Sequence, residues 1–113
     1  MLRFRQAFWE QDDFVKERRG KSRIDGAGIN FLHAHGAELP TWWTSLPVRS
    51  PVLVGWVGGI AAEAMLSEEP VSRLERSLVA LSEILAVPRR QLEEQLDAWT
   101  SHDWHADPFP RGA

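Results

Sequence analysis

The sequence predicts an α+β fold: a mixed or antiparallel sheet of about four to five strands with two to three helices packed on one of its sides. Three observations carry this expectation. Through Gly59, short alternating or wholly apolar runs are separated by glycine, proline and charged stretches. From Ile60 to Leu96 the apolar residues recur at three and four positions. From Asp97 the alternation returns.

Each element follows in order. Over residues 2 to 9, Leu2 and Phe4 fall on one side and Arg3 and Arg5 on the other, as in a strand with one buried face. Glu10 to Asp25 is charged and aperiodic and reads as a solvated loop, its Lys16 to Arg23 cluster being surface rather than an anion grip. "GAGINFLHAHG" sets Ile29, Phe31 and His33 against Leu32 and Ala34, a strand covered on both sides. "PTWWTS" and "SPVLVGWVGG" are two further strands, joined across "LPVR" as a hairpin. Gly55, Gly58 and Gly59 mark either a close approach by another backbone or a flat ligand, or simply a bulge or strand end.

"IAAEAMLS" is a short helix candidate. A longer helix follows, with Pro70 suited to its first turn and a stripe of Val71, Leu74, Leu78, Leu81 and Leu85. Two heptads are too short for a stable coiled coil, so the stripe packs on a core. Val87-Pro88 ends that helix, and Pro88 opens a shorter one, "PRRQLEEQL". In "DAWTSHDWHADPF", a strand would put Trp99, Ser101, Asp103, His105 and Asp107 on one face, and Thr100, His102, Trp104 and Ala106 on the other.

The chain has 113 residues, room for one domain. A net charge of -3 with mixed signs gives no positive field for nucleic acid. The absence of cysteine removes disulfides, thiolate metal sites and thiol nucleophiles, and makes the cytoplasm the expected compartment. Neither a signal peptide nor a run of ~20 apolar residues is written here, so no membrane partner is expected. Six tryptophans in so short a chain require either a large core or a surface that continues into something else.

Candidate chemistry is sparse. On a strand His102 and His105 diverge, whereas Asp103, His105 and Asp107 would stand at roughly 7 Å steps, too wide for a shared ion. Ser101, His102 and Asp103 are sequence neighbours that cannot face one another as a triad. "GAGINF" imitates a dinucleotide fingerprint, but Phe31 replaces the third glycine and a strand follows in place of a helix. His33 and His35 share a face, where a sheet histidine hydrogen-bonded to backbone is the expected role of each. No residue set supplies complete catalysis.

Taken in order, "LRFRQAFW", "FLHAHGAELPTWWTSLPVRSPVLVGWVGG", the leucine-striped helix and "HDWHADPFPRGA" resemble the flavin-containing amine oxidase family, in particular its bacterial and polyamine-oxidase-like branches. Monoamine oxidases and the flavin-dependent lysine-specific histone demethylases are more distant members. The most specific element is W-x-x-D-P-F-x-R-G-A, Trp104 to Ala113. The resemblance implies that residues 1–113 are a single partial domain, a segment of the substrate-binding domain, with the FAD-binding regions lying elsewhere. It implies no catalytic residue within the segment: the family lysine falls about two residues before Met1, and an aromatic residue over the flavin follows Ala113. It assigns Trp104, Arg111, Gly112 and Ala113 to the cofactor and makes Trp43 a candidate wall of the substrate pocket. Alanine at 113, where covalently flavinylated relatives have cysteine, implies non-covalent FAD.

The function so implied is part of an FAD-dependent amine oxidase, an oxidoreductase that deaminates an amine or polyamine by hydride transfer to flavin and reduces oxygen to hydrogen peroxide. The segment is expected to be inactive alone, with a small amine as the substrate of the complete enzyme. The alternative is a stand-alone, non-catalytic binding or assembly protein derived from that fold, self-associating through an exposed sheet edge or its aromatic surface.

Overall fold

In a computed structural model of the chain, which describes residues 1–11, 31–104 and 106, five strands form one sheet. They are β1 (Leu2–Phe4), β2 (Phe31–His33), β3 (Thr41–Trp43), β4 (Val52–Trp56) and β5 (Leu96–Trp99). The order is β2-β3-β4-β1-β5 and every neighbouring pair is antiparallel. Three helices, α1 (Gly59–Leu66), α2 (Pro70–Leu85) and α3 (Arg89–Gln95), lie between β4 and β5 in the chain. The architecture is therefore α+β, as the change of period predicts.

β1 obeys its alternation, with Leu2 and Phe4 buried and Arg3 exposed. Arg3 Nε meets Asp97 Oδ2 of β5 at 3.0 Å, with both side chains about half exposed, so this ion pair adds at most about 1 kcal/mol. The expected strand over residues 2 to 9 is shorter in fact. It stops at Phe4, and a 3-10 turn follows at Phe8–Glu10. The physical reason is that Phe8 and Trp9 are adjacent and both buried, whereas a strand turns one of every two neighbours outward. The turn lets both rings pack edge-on against Phe4 and each other, at centroid distances of 5.1–5.8 Å.

Glu10, the first residue of the charged stretch, pairs with Arg49 at 3.2 Å. The Lys16 to Arg23 cluster, the glycines of "GAGINF" and Ile29 lie outside the described residues. The hairpin predicted across "LPVR" is present, in the register Trp43 with Val54 and Trp42 with Gly55. At Gly55 a Cβ would lie 2.6 Å from Leu39 Cδ2 and 2.9 Å from the ring of Trp42. The close approach that this glycine allows is thus made by the chain's own indole. Trp42 is only 1% exposed, and its Nε1 donates to the Leu39 carbonyl at 2.9 Å, so that ring cannot move aside.

α2 begins with Pro70 at its first turn and buries Leu78, Leu81 and Leu85, with Ala80 and Ile84 beside them. Leu74 packs on the same core in part. Val71 departs from the expected stripe: it is 61% exposed, because it sits in the first turn, ahead of the point where the helix meets the core. The helix closes through Ala86 in the left-handed conformation (φ 54°, ψ 45°) before Pro88. α3 ends one residue earlier than its pattern suggests, and Leu96 opens β5.

The inward residues of the sheet, Leu2, Phe4, Leu32, Trp42 and Leu53, form one core with Met65, Leu81, Leu85 and Leu92 of the helices. The helices therefore cover one face. On the other face β2, β3 and β4 align Phe31, Trp43 and Val54 in one cross-strand row and His33, Thr41 and Trp56 in the next. Phe31 is 62% and Trp56 44% exposed, and no helix of the described residues lies over them.

Two substitutions test this packing. Gly55→Ala should lower stability by about 1–3 kcal/mol through the enforced clash, measured by urea denaturation. Ala86→Gly should raise it by about 0.5–1 kcal/mol by relieving the left-handed residue; a loss on this change would mean that the helix closes differently.

Candidate functional site

β5 does not extend through the alternating text that follows it. It ends at Trp99, and Thr100 makes the final exchange with the first residue: the Met1 amine donates to the Thr100 carbonyl at 2.9 Å, and Thr100 N–H donates to Met1 O at 3.0 Å. Beyond that point Ser101 to Asp103 have no regular structure and Trp104 lies in a turn. The common strand face expected for Trp99, Ser101 and Asp103 is therefore absent. His105 and Asp107 lie outside the described residues. Among the described residues no group of three His, Cys, Asp or Glu side chains could hold a metal ion.

The departing segment instead forms one wall of a cavity of about 510 Å³. The opposite wall is the end of β4 with Trp43 of β3, and the floor is Met65 of α1 with Leu74 and Ser77 of α2. Two residues singled out from the sequence meet here. Trp43 is half-buried on the sheet's uncovered face, and Trp104 is 46% exposed across the opening. The Trp104 indole stands edge-on to the His102 ring, with centroids 4.4 Å apart and planes at 73°. Arg111, Gly112 and Ala113 lie outside the described residues, so their assignment to a cofactor has no geometry here.

Arg73 is the site residue that sequence reasoning missed. Its Nη1 donates to Ser101 Oγ at 3.3 Å, while Nε is buried with no hydrogen-bond partner. Among the described residues it joins no ion pair, although it lines the cavity. The signal was faint: Arg73 adjoins the stripe residue Leu74, and Ser77, one turn on, accepts the same orientation. Facing the cavity with Arg73 are Asp103, which accepts from the Ala106 N–H at 3.3 Å, and the Met1 amine, whose pKa burial holds below its usual value.

The His33–His35 pair lies away from this cavity. His33 Nδ1 is 2.9 Å from Thr41 Oγ1, a side-chain partner on the adjacent strand, and the two rings stand edge-on at 4.7 Å. Among the described residues no helix is long and apolar enough to cross a membrane.

The cavity can hold a planar or extended apolar group among indoles, with one cationic edge. His102 and Asp103 are the titratable side chains that line it beside Arg73. An isoalloxazine ring fits such aromatic walls, and Arg73 offers a donor to a ring carbonyl; the described residues contain no glycine-rich phosphate loop for a dinucleotide's other half. Arg73→Met keeps the aliphatic stem and removes the orphaned donor. It should leave stability within about 1 kcal/mol of the parent chain, and a larger loss in urea denaturation would show that Nε has a partner.

The family described as flavin containing amine oxidoreductase has a sequence model that matches residues 1–113. No curated protein and no solved structure matches the sequence.

Proposed function

The chain belongs to the flavin-containing amine oxidoreductase family, and from that premise we propose that it forms part of the wall over the flavin in an FAD-dependent amine oxidase. The observation that carries this reading is the placement of Trp104: the last described tryptophan is half-exposed and lines an aromatic cavity together with Trp43. A large apolar ring left half open beside other indoles suits a flat ligand.

The reaction assigned is oxidative deamination of an amine, with water giving the carbonyl product and oxygen reduced to hydrogen peroxide. A bound flavin supplies the electron-accepting ring for that chemistry. The part played by this chain is binding and exclusion. Trp104 and Trp43 present flat apolar faces to ring and substrate, and the floor of Met65 and Leu74 keeps the space poor in water. That residues 1–113 do not turn over substrate alone is part of this proposal. FAD held without a covalent link, through Arg111, Gly112 and Ala113 as well as Trp104, remains part of this proposal.

Titrating FAD into the chain while following tryptophan emission tests the reading. Quenching is expected, and it should weaken at least about tenfold in affinity, ~1.4 kcal/mol, in a Trp43→Ala, Trp104→Ala double variant. Equal quenching in parent and variant would favour the alternative, a non-catalytic binding protein built on the same fold. Mixing the chain with FAD and benzylamine should yield no peroxide; turnover would refute the claim that essential parts lie elsewhere.

A further inference from the structure

His33 and His35 carry chemistry that the flavin reading does not use. His33 is the last residue of β2, and His35 lies in the turn that follows. Ala34 between them is turned into the core, 4% exposed, while both histidines are exposed. The two imidazoles therefore leave the chain on one side, as residues two apart on a strand do. The backbone beneath them is held in place. Ala34 N–H donates to the Pro40 carbonyl at 2.8 Å, and the Ala34 carbonyl accepts from Ala37 N–H at 3.3 Å. Gly36 makes the reversal with φ at 84°. His33 stands in register with Thr41, whose Oγ1 is 2.9 Å from its Nδ1. The His35 ring has its edge-on contact with His33 and no hydrogen bond among the described residues.

We propose that His33 and His35 form a bidentate site for a divalent transition-metal ion, with water in the remaining coordination positions. An ion about 2.0–2.1 Å from an imidazole nitrogen lies ~3.2 Å from that ring's centroid. Two such rings at ligand angles of ~90–110° therefore have centroids ~4.5–5.2 Å apart. The observed separation of 4.7 Å falls inside that window, so the backbone already has the spacing the ion needs. Rotation of the unbonded His35 ring about χ2, a broad torsion, completes the alignment. Thr41 supplies the outer support. With the ion on Nε2, His33 Nδ1 carries the proton and donates it to Thr41 Oγ1, which fixes both tautomer and ring orientation. The donor set decides the metal. Among the described residues no third His, Cys, Asp or Glu completes the group, so two imidazole nitrogens choose Cu²⁺ above Ni²⁺ and Zn²⁺, and exclude Mg²⁺ and Ca²⁺, which take oxygen ligands. The proposal rests on these side chains alone and does not depend on the flavin reading.

The chain has four histidines, so the test is made in a His102→Gln, His105→Gln background that leaves only the pair in question. Calorimetric titration with CuCl₂ should show one Cu²⁺ bound per chain, displaced by Ni²⁺ or Zn²⁺ in excess and untouched by Mg²⁺. His33→Gln and His35→Gln should each weaken that binding at least about tenfold, and Thr41→Val by about tenfold, with Thr41→Ser restoring it. All these side chains lie on the exposed side of the hairpin, and coincident melting curves without metal check that the variants fold. Electron paramagnetic resonance of the copper form should show coupling to two imidazole nitrogens, reduced to one in either histidine variant. Equal affinity in parent and both histidine variants would overturn the proposal. So would displacement by Mg²⁺, or a parent spectrum without imidazole nitrogen. None of these readouts uses flavin, so the outcome is separable from that of the FAD titration.

Discussion

Three residues at the start of the chain hold the sheet together. Among the described residues β1 is the only strand that touches both β4 and β5, and so the only link in the sheet between the hairpin half and the strand that follows the helices. Its contribution is carried by Leu2 and Phe4, both almost wholly buried, which join Leu53 and the α2 leucines in one core. Burying two such side chains is worth several kcal/mol in apolar transfer, about 1.5–3 kcal/mol each, while the Arg3–Asp97 pair on the outer face adds little by comparison. Hydrophobic alternation, not charge, decides where this strand goes.

The candidate site follows from the same constraint. The segment after β5 leaves the ladder, and Trp104 lines the cavity together with the end of β4. The indole surface that results is continuous with the uncovered face of β2, β3 and β4, where Phe31 and Trp56 are exposed. The molecule thus has a sealed side, insulated by three helices, and an aromatic side open to whatever it meets. That asymmetry agrees with membership of a family whose chemistry happens at a flat cofactor.

Much of this was legible in the sequence wherever one face dominates. Leu2/Arg3/Phe4, Trp42/Trp43 and the spacing Leu74, Leu78, Leu81, Leu85 each announce a buried side without help from tertiary structure. The failures share one cause, which is that neighbours decide. Phe8 and Trp9 satisfy a strand pattern until both must be buried, and the chain turns instead. The alternation after Asp97 would make a long strand, yet the ladder ends at the exchange between Met1 and Thr100. Trp43 as a pocket wall and Trp104 as a cofactor contact could be singled out through a family likeness, whereas Arg73 carries no local pattern and becomes notable only when its Nε is seen to be buried and unpartnered.

The pairing of β1 with β5 also sets an order of events during synthesis. Arg3 and Asp97 are separated by 94 positions, so at about 5–20 residues per second the first strand waits roughly 5–20 s before the strand on its far side has been translated. During that interval the hairpin of β3 and β4 and then α2 can form from local contacts, while β1 has only its β4 edge occupied. The ribosome-bound intermediate therefore exposes a hydrophobic strand edge with Phe4 and Leu2 half covered, the kind of surface that chaperones engage and that crowded nascent chains share with one another.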